Sequence, residues 1–159
     1  MKTTRYVTTG LIVASLAASV AIAAGHGKSP EEKIIAARKA QMHLMAHNLG
    51  ILGAMANGAT DYNEDAANAA AGNLKALAGL NPMSMYTADT DSMSVDGTRA
   101  MPDLWDNMDD VASKFTSLGT ATSALADAAG GGLEGLQGAI GGVGKVCGDC
   151  HKAYREPAS

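Results

Sequence analysis

Gly144-Lys145-Val146-Cys147-Gly148-Asp149-Cys150-His151-Lys152-Ala153-Tyr154-Arg155 stands close to the end of the 159-residue sequence. At its centre is Cys147-Gly148-Asp149-Cys150-His151, a C-x-x-C-H run of the kind that attaches a c-type haem. Two thiols three residues apart on a helix share a face, so both can form thioethers to the two vinyl groups along one haem edge. A histidine directly after the second thiol brings its imidazole under the iron as proximal ligand. Other readings of the cysteine pair fit less well. A thioredoxin-like couple wants a βαβ context that the sequence lacks. Structural zinc wants four ligands, and no second Cys/His cluster stands at suitable spacing. A disulfide within one helical turn is strained and closes almost no loop.

The motif belongs to a helical stripe. Leu133, Leu136, Ile140, Val143, Cys147, Cys150 and Tyr154 recur at intervals of three and four, which puts both thiols on the apolar face of a helix. Glycines 135, 138, 141, 142, 144 and 148 each cost about 0.5–1 kcal/mol of helix propensity relative to alanine. That density predicts close approach of something large to the backbone, or a helix held mainly by its cofactor. Upstream, Gly130-Gly131-Gly132 separates this helix from another that starts at Pro102 and carries Leu104, Met108, Val111, Phe115, Leu118, Thr122 and Leu125 inward.

Two further helices precede them. The first is expected from Ser29-Pro30-Glu31-Glu32, where Ser29 caps, proline suits the first turn and the carboxylates favour the positive end of the dipole. Its inward face reads Ile35, Arg38, Met42, Met45, Leu49, Leu52 and Ala56, with Gly58 as its stop. The second runs from about Asn63 to Leu80, with Ala67, Ala70, Leu74 and Leu77 inward, and Asn81-Pro82 ends it. Residues 82–101 form a Met-, Ser- and Asp-rich connection longer than a compact bundle usually needs. No segment alternates like a strand. The expectation is an all-α, antiparallel four-helix bundle with one covalently attached haem in its core.

The N-terminus reads as a secretory signal over residues 1–23. Lys2 and Arg5 give a basic start, Leu11 to Val20 an apolar stretch, and Ala21-Ile22-Ala23 a small-residue cleavage site. The apolar stretch is short for a membrane span. Residues 24–159 then form one exported domain in the periplasm, with no membrane span after signal removal. Losing Lys2 and Arg5 takes the formal charge from −4 to −6, a surface poorly suited to nucleic acid. One Phe and one Trp in an Ala/Gly-rich chain are thin core material, and a buried macrocycle would supply apolar bulk.

A haem motif at the C-terminal end of a four-helix chain resembles the class II cytochromes c, the cytochrome c′ family. The terminal signature Gly144–Arg155, with its aromatic-Arg pair after the histidine, carries the likeness. Pro30-Glu31-Glu32, the Arg38…Met42…Asn48 segment and Asp103-Leu104-Trp105-Asp106-Asn107-Met108 extend it. The run Ile51–Gly58 is more like the low-spin type, of which cytochrome c-556 is typical. The resemblance implies haem c held by Cys147, Cys150 and His151. It also makes position 42 decisive: a methionine there is the sixth iron ligand in low-spin members, whereas a bulky non-ligating residue leaves five-coordinate iron in high-spin ones.

Met42 is therefore the expected distal ligand. The alternatives are an iron with no protein sixth ligand, Met45 one turn on, or a histidine. His43 and His47 fall on the opposite side of the helix from the Met42/Met45 stripe, which makes them solvated. Arg38, on the inward stripe, is expected to pair with a haem propionate, or to emerge at the bundle end and meet an acidic side chain. Arg155 lies near the haem edge or in solvent. Tyr154 and Trp105 read as core packing, and the nine methionines form no cluster that compels copper handling.

The function expected is that of a periplasmic single-electron carrier for redox partner proteins, and not an enzyme. A five-coordinate binder of NO or CO is the alternative. No inward distal His/Arg pair supports O–O cleavage. The Ala-rich second helix permits a homodimer.

Overall fold

The computed structural model describes residues 27–157. The predicted signal over 1–23 lies outside them. Four long helices carry the structure: α1 (Pro30–Ala56), α2 (Glu64–Ala78), α4 (Met108–Ala129) and α5 (Leu133–Tyr154). A 3₁₀ turn (Pro82–Met85) and the single-turn α3 (Asp103–Asp106) interrupt the route from α2 to α4. Among the described residues there is no strand, only one isolated antiparallel bridge between Ala100 and Arg155.

The helices form a ring in which α1 packs on α2, α2 on α4 and α4 on α5. The ring closes through its slackest interface, α1 against α5. Side-chain bonds fix the directions. Gln41 Nε2 donates to the Leu77 carbonyl at 2.8 Å and Asn73 Nδ2 to Asn48 Oδ1 at 3.0 Å, so α1 and α2 run antiparallel. Gln137 Nε2, at the start of α5, donates to the Ala56 carbonyl at the end of α1 (2.8 Å). The expected antiparallel four-helix bundle is the fold. No helix among the described residues is long and apolar enough to cross a membrane.

Local signals act where the sequence places them. Ser29 forms a full capping box, accepting from Glu32 N while its own N–H donates to Glu32 Oε2 at 2.7 Å. Asn63 caps α2 through Ala66 N. The third predicted helix is broken: Asn107 leaves helical geometry at φ −127°, ψ 40°, separating α3 from α4.

The inward face of α1 also differs from expectation. Ile35, Arg38, Met45 and Leu52 are buried as read, but Gln41, Asn48 and Met55 are buried as well, while Met42, Leu49 and Ala56 are half-buried. α1 is covered by α2 on one flank, and there two polar side chains are buried because α2 supplies their hydrogen bonds. On α5, Leu133 is exposed at 38%, outside the core that its spacing suggested.

The α5 glycines give a mixed answer. At Gly135 a Cβ would lie 2.6 Å from the Ala128 carbonyl oxygen, so the α4–α5 corner requires glycine. At Gly138, Gly141, Gly142, Gly144 and Gly148 an added Cβ meets nothing within 4 Å. Close approach of another part of the chain does not explain those five.

Candidate functional site

The three residues of the C-terminal motif meet on the last two turns of α5. Cys147 and Cys150 are half-buried and not joined in a disulfide. Cys147 packs against the main core, which Leu52, Leu74, Leu125, Leu136 and Val143 fill. Cys150 packs against a second cluster of Leu104, Val111 and Tyr154. The thiols thus straddle the seam between two apolar groups. Burial pushes both thiols up.

Burial also lowers the pKa of His151, and the nearby Arg155 and Arg99 guanidinium groups lower it further. These shifts favour the neutral imidazole, the form that can ligate a metal. No described side chain hydrogen-bonds to its ring. On the outer face of the same turns, Lys145 and Asp149 pair at 2.6 Å and leave the inner face to the thiols.

The 82–101 connection reaches this end of the molecule twice. Beyond His151, Met101 N donates to the Tyr154 carbonyl at 3.0 Å and Glu156 N to the Arg99 carbonyl at 2.9 Å. Ser92 Oγ donates to Glu156 Oε1 at 2.6 Å. These bonds hold the exit of the motif helix.

The other grip is on Arg38, which is 4% exposed. Its Nη1 donates to the Met85 carbonyl (3.3 Å) and Thr90 Oγ1 (3.2 Å). Its Nη2 donates to the Thr90 carbonyl (2.7 Å) and Thr98 Oγ1 (3.0 Å). The guanidinium also stands 5.0 Å from the Tyr86 ring centroid and 5.6 Å from that of Trp105, both cation–π distances. Thus the described partners of Arg38 are neutral oxygens and aromatic faces, and the acidic partner considered from sequence is not among them. Thr90, Thr98 and Tyr86 were not singled out in the sequence. The unusual length of the connection was their only signal. Burial raises the Tyr86 phenol to about 12, so it stays neutral beside Arg38.

Met42 is half-buried and packs against the main core, as Val146 and Cys147 do from α5. Met45 is buried at 6% inside that core. His43 and His47 are exposed, as their register predicts. Trp105 donates its indole N–H to the Thr87 carbonyl at 2.9 Å and lies with the second cluster. Tyr154 is 8% exposed within it, and both aromatics serve packing. Arg155 is exposed.

A family model described as Cytochrome C′ matches residues 33–155. The chain belongs to the cytochrome c′ family. Cytochrome c-554 of Cereibacter sphaeroides is 38% identical over 125 residues, spanning 79% of this chain and 82% of that one. Cytochrome c′ of Allochromatium vinosum is 38% identical over 148 residues, 92% of each chain. The solved cytochrome c′ from Rhodobacter sphaeroides superposes with a TM-score of 0.79 at 35% identity, covering 82% of this chain and all of that one. As a member of the cytochrome c′ family the chain is a c-type haem cytochrome, and its donor set suits that group. Two unbridged thiols and an imidazole with no other described partner stand together on the last turns of α5.

Proposed function

We propose that this cytochrome carries single electrons, with His151 and Met42 as the axial pair and Cys147 and Cys150 as the thioether anchors. When bound, haem supplies the one-electron Fe(III)/Fe(II) couple. The protein's part is to hold two ligands in fixed positions across the α1–α5 seam, so that little rearranges between oxidation states.

One observation carries this reading: the level of Met42. The Gln137–Ala56 bond ties the far ends of α5 and α1. From there Met42 lies 14 residues back along α1, and His151 lies 14 residues forward along α5. Both helices rise about 1.5 Å per residue, so counting from that bond gives positions 42 and 151 similar levels on their helices, which supports pairing them as ligands. Met45 is offset by most of a turn, and His43 and His47 are exposed on the opposite face. A Met/His pair leaves no open position for substrate and raises the potential relative to two histidines.

Arg38 has one donor, Nε–H, without a described protein partner. That donor is the one we assign to a haem propionate. The acidic surface suits a basic patch on a redox partner protein, with a salt-dependent association rate. Export to the periplasm is part of the same proposal. So are the absence of an enzymatic role and the option of a homodimer.

The second reading is a five-coordinate iron that takes up NO or CO at an open distal face. Similarity to proteins named cytochrome c′ favours it. The optical spectrum of the purified protein separates the two. A low-spin ferrous spectrum insensitive to CO is expected, and Met42→Leu should turn it high-spin and CO-reactive. Ready CO binding by the unaltered protein would reject the carrier.

A further inference from the structure

Away from the motif end, one pair of metal-ligating side chains has no part in the function described so far. His43 and His47 lie four residues apart in the interior of the 27-residue α1, and both are exposed. Neither makes a side-chain hydrogen bond or ion pair with another described residue. Residues i and i+4 of a helix bring their Cβ atoms to about 5–6 Å. That is the spacing by which two histidines of an H-E-x-x-H helix grip one zinc ion.

The surroundings favour access. Lys39, one turn before His43, has its ammonium engaged with the Gly97 carbonyl at 3.1 Å. Ala46 and Gly50 add little bulk beside His47, and these three residues line a shallow depression together with Ile51, Ala54 and Thr60. No carboxylate follows Glu32 on α1. The donors are therefore imidazole nitrogens alone, which suits zinc, copper or nickel dications and disfavours magnesium and calcium.

We propose that His43 and His47 form a surface site for one transition-metal dication, held through both imidazoles with water completing the coordination. The residue between them that would be the general base of a hydrolase is Leu44, 52% exposed. The site therefore binds metal without hydrolytic chemistry. It stands independently of the haem ligation, since both histidines are exposed and lie off the Met42/Met45 stripe.

The test is calorimetric titration of the haem-loaded protein with zinc chloride. One equivalent should bind per chain. His43→Ala and His47→Ala should each weaken binding about 100-fold, because one ligand loses the effective concentration supplied by the other. Far-UV circular dichroism should stay unchanged in both variants. His26→Ala, which alters a histidine outside the described residues, should leave zinc affinity and the haem spectrum as they were. Binding that persists in the His43→Ala/His47→Ala double variant, or that disappears with His26→Ala, would overturn the proposal. So would the absence of zinc binding.

Discussion

The Tyr154 hydroxyl donates a 2.6 Å hydrogen bond to Asp110 Oδ2, tying the last turn of the motif helix to the first turn of α4. Each partner shifts the other. Asp110 holds the Tyr154 phenol up at about 12, against an ordinary 10. Tyr154 in turn lowers the Asp110 carboxyl, with Lys114 at 3.4 Å assisting.

Linkage fixes the pH window of this bond. The tyrosine's share of stability is complete below its ordinary pKa and is lost as pH rises through about 12. The aspartate's share is present above the ordinary carboxylate range and is lost as pH falls below it. Ultraviolet titration should show two late tyrosinates, Tyr86 and Tyr154. Tyr154→Phe should remove one of them and flatten the alkaline loss of stability.

Arg38→Ala should destabilise the protein by about 2–3 kcal/mol, because buried acceptors on the connection lose their donor. Denaturant unfolding measures the cost. Amide exchange should quicken over residues 86–99 before it does so in the helices. Arg38→Lys should recover only part of the loss, since an ammonium cannot reproduce the planar fork that reaches Thr90 and Thr98.

Two glycines on one helix should respond with opposite signs. Gly135→Ala forces a methyl against the Ala128 carbonyl and should cost about 1–3 kcal/mol through overpacking. Gly141→Ala meets open space and should add about 0.5–1 kcal/mol by helix propensity. Thermal melts of the two variants, run side by side, should move in opposite directions.

Gln41 is 4% exposed, and its Oε1 is buried with no partner among the described residues. Gln41→Met removes that orphaned acceptor and the bond to Leu77 together, a change expected to lie within about 1 kcal/mol of neutral. Asn73→Ala should cost more than this, because it leaves the buried Asn48 oxygen without the donor it has at 3.0 Å. Chemical denaturation ranks the two.

Much of this was legible in the sequence because the signals are local. Capping at Ser29, the stops near Gly58 and Pro82, and the spacing of Val111, Leu118, Leu125, Leu136 and Val143 each depend on a few neighbouring residues. The motif is local too, since one helical turn sets the placement of Cys147, Cys150 and His151. What escaped depends on distant partners. Gln41 and Asn48 look like surface residues until α2 offers them Leu77 and Asn73. The break at Asn107 interrupts an apolar rhythm that continues undisturbed on both sides. The acceptors of Arg38 are backbone carbonyls and threonine hydroxyls 47 to 60 residues away, and no periodicity marks them.

The 82–101 connection grips α1 at Arg38 and the exit of α5 at Tyr154 and Glu156, across the interface where the bundle is least tightly packed. If His151 and Met42 ligate the iron as proposed, the connection acts as a spacer of fixed length between the two helices that carry them. Shortening or lengthening it by a residue would alter the gap between positions 42 and 151 while leaving both residues unchanged in kind. Drift in the length of this loop among related chains would in this way retune the ligand field without changing either proposed ligand.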